Sequence, residues 1–377
     1  MLNQQHPVLN STDSYIELLL KRVLQAENFG ISRGNIESNP MTTSYGKLRD
    51  RFRLSIPYAK QNLNWTVSFD TQHPEIGPDF VFHDENFLAD VNANTLAEQV
   101  PSLANWNPYN IDSLLHVLIE LLECYKEYQI QLISKHNRLQ VEYSTLVETA
   151  KAKSEEVEVI LLPIGLKPTE ARFLISLTID ISQLPNHVSL LTTDTAMLIV
   201  TFHESDWNRI IPQLVLSEPL QKVFGGPSSL QIPPFPPNKC LMYYVPEVRK
   251  CITDKINSII QSCDMKRNFI SNILTTKSAS VIEWDSKENS YIVLLMQHKD
   301  FNFLTSCRLA QGFPLRKPII ELQSIYHESE DGMLYTETLD DFPYSPKWPP
   351  LEMVQSLFKY IEKFGAQNFL NNSTKHT

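Results

Sequence analysis

Glycine is scarce, ten residues in 377. None falls in a Gly-x-x-x-x-Gly-Lys or Gly-x-Ser-x-Gly pattern, which excludes a phosphate-cradling loop and a strained nucleophile elbow of those types. Cysteine is scarcer still. Cys124, Cys240, Cys251, Cys263 and Cys307 are odd in number, scattered and never spaced as Cys-x-x-Cys, so the pattern reads as reduced thiols and not as a disulfide frame or zinc finger. No His-x-His pair occurs, which removes one ligand set of a zinc hydrolase, and no metal or cofactor is expected. Positive charge is in deficit, 33 Lys and Arg against 43 Asp and Glu. The net charge of -10 offers no chain-wide attraction to nucleic acid or anionic lipid, so protein partners are expected, with no nucleic acid and no membrane. Long apolar runs are missing, and Met1–Ser14 is polar without a signal-peptide core. Secretion is therefore not expected, and the triplets Asn10-Ser11-Thr12 and Asn64-Trp65-Thr66 read as chance matches to a glycosylation acceptor.

What is present describes a globular protein: 42% hydrophobic and 20% charged residues, over a length that suits two or three domains. Helical periodicity is found over Tyr15–Gln25, Ile111 to about Val147, Pro246–Leu274 and Pro350–Phe369. In the second of these, Leu114, Leu115, Leu118, Leu121, Leu122 and Tyr125 recur at steps that stack them on one face. Between the helices, Phe52–Ile56 and Trp65–Phe69 alternate apolar with polar residues, as expected of a sheet with one face on a core and one in water. Phe80–Phe82 follows. A middle set comprises Val157–Leu162, Phe173–Ile181, Met197–Phe202 and Leu214–Leu216, and a third comprises Ser280–Trp284, Tyr291–Met296, Phe301–Leu309 and Ile319–Leu322. Connections this short do not suit parallel crossovers. The expected class is therefore α+β, with antiparallel meanders packed on helices and joined by long shared helices. Expected boundaries are residues 1–150, 151–275 and 276–377.

The first and third sets share their punctuation. His73-Pro74-Glu75-Ile76-Gly77-Pro78 leads into Phe80-Val81-Phe82, and Trp106-Asn107-Pro108 later opens a helix. Phe313-Pro314-Leu315-Arg316-Lys317-Pro318 leads into Ile319–Leu322, and Trp348-Pro349-Pro350 opens the last helix. Pro74 and Pro314 are 240 residues apart, as are Pro78 and Pro318, while Trp106 and Trp348 differ by 242. Shared order at several landmarks argues for duplication. Physically, prolines four apart fix the chain as it enters an edge strand, and a tryptophan can seal the sheet against the helix that follows.

These landmarks resemble the ubiquitin-conjugating (E2) fold, in which a Tyr-Pro-x-x-Pro-Pro turn precedes a strand and Trp-x-Pro opens a late helix. More specifically, Asp50-Arg51-Phe52-Arg53-Leu54-Ser55-Ile56-Pro57-Tyr58-Ala59, His73-Pro74-Glu75, Pro78-Asp79-Phe80 and Ala104-Asn105-Trp106-Asn107-Pro108 are similar to the brain and reproductive organ-expressed (BRE) family. So are Leu230-Gln231-Ile232-Pro233, Cys240-Leu241, Tyr244-Val245-Pro246 and Phe342-Pro343-Tyr344-Ser345-Pro346. The resemblance implies tandem ubiquitin E2 variant (UEV) or RWD domains without conjugating activity, in a scaffold of the BRISC deubiquitinase assembly and its BRCA-associated A-type sister complex. Implied partners are a JAMM deubiquitinase subunit, an Abraxas-like scaffold, a von Willebrand A-like adaptor and polyubiquitin. The substrate it implies for the whole assembly is lysine-sixty-three-linked polyubiquitin, with cytoplasmic and nuclear residence.

An E2 needs a thiolate after its paired-proline strand. No cysteine lies between Phe82 and Trp106, and none follows Cys307, so no catalytic residue is expected in either set. Cys240, in Asn238-Lys239-Cys240-Leu241, resembles the E2 Cys-Leu pair. Yet Ser228–Pro233 offers no counterpart of the asparagine that stabilises the oxyanion, which leaves an atypical E2 as a minor alternative. A stand-alone module binding ubiquitin or a proline-bearing peptide is another. For partner binding the candidates are Tyr326, Tyr335, Phe342, Tyr344 and Trp348, which can line a groove or pack a core. Ile232–Pro237 can be an exposed polyproline ligand or an ordered loop within the middle set.

Overall fold

The computed structural model describes residues 13–26, 30–32, 34–41, 50–148, 153–164, 166–184, 192–204, 206–226, 228–237, 239–329 and 331–374. The triplet Asn10-Ser11-Thr12, most of the polar stretch Met1–Ser14, and Asn238 lie outside them. Two compact units divide the chain: residues 1–179 with 194–251, and residues 180–193 with 252–377.

The first unit opens with α1 (Asp13–Leu24), which buries Ile16, Leu19, Leu20 and Val23 at steps of three and four residues. A meander follows: β1 (Glu37–Pro40), β2 (Arg51–Tyr58), β3 (Gln61–Ser68) and β4 (Asp79–Val81), paired antiparallel in that order. In β2, Phe52, Leu54, Ile56 and Tyr58 are buried while Arg51 and Arg53 are exposed, so the alternation read from sequence is realised. Next come α2 (Ala93–Gln99), α3 (Pro101–Ala104), α4 (Ser113–Ser134) and α5 (Asn137–Glu148). The single helix expected from Ile111 to about Val147 is thus two. At the break the amides of Lys135 and His136 bond three residues back, to Leu132 and Ile133.

The second meander, β5 (Val157–Leu162), β6 (Glu170–Asp180), β7 (Thr193–His203) and β8 (Arg209–Leu216), also runs in sequence order. Its strands β5 to β7 are buried on both faces over most of their length. Ile160, Leu174, Met197 and Ile199 join the core built by α1, α4 and the first meander, which accounts for one covered face. After α6 (Glu218–Phe224), the Ile232–Pro237 stretch packs as an ordered loop: Phe235 lies 4.9 Å from the Tyr244 ring, and the Tyr244 hydroxyl donates to Pro233 O at 2.6 Å.

Helix α7 (Leu241–Thr276) begins in the first unit and ends in the second. It was expected from Pro246, and it starts at Leu241 because the Glu142 carboxylate accepts the Leu241 amide at 2.6 Å, leaving Pro246 inside the helix. In the second unit β9 (Val281–Trp284), β10 (Tyr291–His298), β11 (Phe301–Arg308), β12 (Ile319–Glu328) and β13 (Leu334–Leu339) form a five-stranded antiparallel meander. Helix α8 (Pro350–Tyr360) continues through a π turn, Ile361–Gly365, into α9 (Ala366–Ser373). The π turn sets Gly365 against Leu339, where an added Cβ would lie 3.3 Å from Leu339 Cδ1. Phe303, Ile320, Leu322, Val354, Ile361 and Phe369 centre this core. Each unit is α+β with antiparallel sheets. Among the described residues no helix is long and apolar enough to cross a membrane.

Candidate docking site at the paired-proline turns

The turn between β3 and β4 is shaped from both ends. Asp70 Oδ1 accepts the amides of Gln72 at 2.8 Å and His73 at 3.2 Å, and the Trp106 indole donates to Pro74 O at 3.1 Å. Gly77 lets α3 approach, because a Cβ there would fall 2.8 Å from Leu103 Cδ1. Pro78 is buried, as an anchor entering β4 should be, and Pro74 is half-buried.

The turn between β11 and β12 repeats this design with other atoms. Phe313 is buried against Phe269 of α7, and Ser262 Oγ donates to Phe313 O at 2.6 Å. The Tyr344 hydroxyl donates to Pro314 O, Pro314 is half-buried, and Pro318 is buried. The hydrogen-bonding counterpart of Trp106 is therefore Tyr344. Trp348, its match by spacing, packs half-buried on the edge of the core. Both turns hold an apolar side chain out in solvent, Ile76 at 56% and Leu315 at 84% exposure. Tyr344→Phe should loosen the second turn at a cost of about 1 kcal/mol, since it removes one hydrogen bond and little surface. Faster hydrogen exchange over residues 309–320 with unchanged exchange in the first unit is the expected readout.

Four of the five aromatic candidates form two clusters, and Trp348 joins neither. Phe342, Tyr344 and Lys317 gather at the turn: Phe342 is 3% exposed, its ring lies 6.4 Å from Tyr344, and Lys317 Nζ stands 4.0 Å over it. Lys317 also donates to Asp340 O. Tyr326 and Tyr335 belong to a ladder through Phe301 and Phe369, with ring separations of 5.8 Å, 6.0 Å and 5.6 Å along it. Tyr326 is the exposed member, at 55%, with its hydroxyl accepting from Asn302 Nδ2 at 3.2 Å. Lys317 was missed in the sequence because a lone lysine in a turn carries no pattern; its neighbours become evident only when β12 and β13 pair.

Four of the five thiols sit in surroundings that favour the protonated form. Burial pushes Cys307, in the core between Ile292 and Ile320, up to about 12. Burial and then the Glu142 charge raise Cys240, with Arg138 opposing them in part. Cys124 and Cys263 are likewise raised, first by burial. Since the thiolate is the nucleophile, burial lowers the reactive fraction of each of these four at neutral pH.

A family profile described as "Brain and reproductive organ-expressed protein (BRE)" matches residues 10–328. The chain belongs to the BRE family. The BRE match takes in the first turn, the middle meander and the second turn as far as β12. Among relatives, "BRISC and BRCA1-A complex member 2" of Danio rerio is 33% identical over 329 residues, 85% of this chain and 84% of that protein. The protein of the same name from Branchiostoma floridae is 32% identical over 377 residues, covering 97% of this chain and 96% of its own.

Proposed function

We propose that this BRE-family chain is a non-catalytic scaffold subunit of a BRISC-type deubiquitinase assembly. The observation that carries this reading is near full-length similarity to relatives named as members of the BRISC and BRCA1-A complexes. The raised thiols support it from the chemical side. In this reading, residues 1–150, 151–275 and 276–377 act as tandem UEV/RWD-type domains. They bridge a JAMM deubiquitinase subunit and an Abraxas-like scaffold to a von Willebrand A-like adaptor, in an assembly that cleaves lysine-sixty-three-linked polyubiquitin in cytoplasm and nucleus.

The test is reconstitution from purified subunits. Leaving this chain out should prevent the adaptor from joining the hydrolase and scaffold; a full assembly formed without it refutes the proposal. A second arm incubates the chain with E1, ATP and ubiquitin. No reductant-sensitive adduct is expected, whereas one that disappears on Cys240→Ser would establish an enzyme.

A further inference from the structure

A cleft of about 180 Å3 opens in the first unit between the end of α4, the segment after β4 and the connection from β5 to β6. Leu132, Leu161 and Ile164 give it an aliphatic lining. Its wall carries a carboxylate: Asp84 is only 4% exposed. Asp84 Oδ1 accepts the Asn86 amide at 3.1 Å, and the Tyr128 hydroxyl hydrogen-bonds to the same carboxylate. Among the described residues no lysine, arginine or histidine pairs with it.

A carboxylate withdrawn from water is costly unless a cation or several donors compensate it, and two donors leave lone pairs available. Two further features favour positive charge here. The cleft lies at the C-terminal end of α4, the negative end of the helix dipole. Glu85 is exposed next to Asp84, and the chain as a whole carries -10. Opposing them are Lys135, exposed at the mouth on a flexible stem, and His136, whose ring is engaged edge-on with Trp207 at 5.2 Å.

We propose that this cleft takes the side chain of a lysine or arginine from a protein partner, the stem lying on Leu132, Leu161 and Ile164 and the cationic head meeting Asp84. Such a side chain has the right division, apolar along its length and charged at its tip. The inference does not rest on assembly with a deubiquitinase, and it is tested on the isolated full chain.

The probe is n-butylguanidinium chloride, followed by saturation-transfer NMR, with butyrate as the anionic control. Saturable binding of the cation is expected, with none for butyrate. Asp84→Asn keeps an acceptor for the Asn86 amide and should weaken binding about tenfold or more. Lys135→Glu reverses the opposing charge and should tighten it at least about threefold. Leu132→Trp, which fills the lining, should abolish it. Absence of binding to the natural chain, equal binding of butyrate, or an Asp84→Asn variant that binds as before would each overturn the proposal. Should Asp84→Asn fail to fold, the other two variants decide: weaker binding in Lys135→Glu, or undiminished binding in Leu132→Trp, overturns it.

Discussion

Glu158→Ala is expected to destabilise the first unit by about 3–5 kcal/mol, the cost of leaving buried donors without their charged acceptor. Three donors converge on this carboxylate: the Ile31 amide at 2.6 Å, Ser32 Oγ at 2.8 Å and the Ala59 amide at 2.8 Å. Ser32, Ala59 and Glu158 itself are buried, so water cannot replace what is lost. The damage should centre on the hairpin joining β2 to β3. Its two turn residues, Ala59 and Lys60, have φ of 45° and 59°, a region that costs a non-glycine residue roughly 1–2 kcal/mol. That geometry is held from outside the hairpin. Glu158 takes the Ala59 amide, Arg172 Nη1 donates to Ala59 O at 3.3 Å and Lys60 O at 3.1 Å, and Arg172 Nη2 is fixed by Glu170 at 2.6 Å. Hydrogen exchange resolved on peptides of β2 and β3 gives the measurement. Protection there equal to that of the natural chain would refute the role assigned to Glu158. By the same reasoning Lys60→Gly, which relieves one strained position, should raise stability by about 1 kcal/mol.

Glu142→Ala should cost about 1–3 kcal/mol and fray the start of α7. The side chain is fully buried, with one oxygen on the Leu241 amide at 2.6 Å and the other 2.8 Å from Arg138 Nη2. That second contact is an ion pair without hydrogen-bond alignment, so the amide of Leu241 is the better-satisfied partner. Burial outweighs both partners and holds the Glu142 carboxyl above the usual carboxylate range. The folded chain therefore binds this proton more tightly than the unfolded chain does. Ionisation of Glu142 then subtracts stability once pH rises through its folded value, and the penalty is relieved as pH falls below it. Glu142→Gln mimics the protonated form. Relative to the natural chain it should be more stable at pH 7 than at pH 4, as read by chemical denaturation at the two pH values. A difference that is flat with pH, or larger at pH 4, would contradict the assignment.

Much of the local order is visible in the chain itself. Strand β5 has the bounds that its apolar run marks, Val157–Leu162, and β2 and β3 follow the two-residue alternation that one-sided burial demands. The paired prolines fall where two turns are needed: Pro78 is the last residue before β4, an edge strand, and Pro318 the last before β12, which lies inside its sheet, so the expected edge strand is found at the first turn only. Edge strands were harder to see. Glu37–Pro40 and Leu334–Leu339 have little apolar alternation, and they form because β2 and β12 offer unpaired backbone groups to them. The break between α4 and α5 was also hidden, since Leu139 and Leu146 continue the buried face beyond it.

What the sequence determined alone is therefore the class of fold and its punctuation, because periodicity and proline act within a few residues of themselves. Tertiary structure decided the rest. Whether β5 to β7 would be covered on both faces depended on what packed against them. Which hydroxyl would meet Pro314 O, and which buried carboxylate would take the amides of Ile31, Ala59 and Leu241, depended on groups 30 to 127 residues apart. Partners so distant leave no spacing to read, and only the folded chain brings them within hydrogen-bond reach.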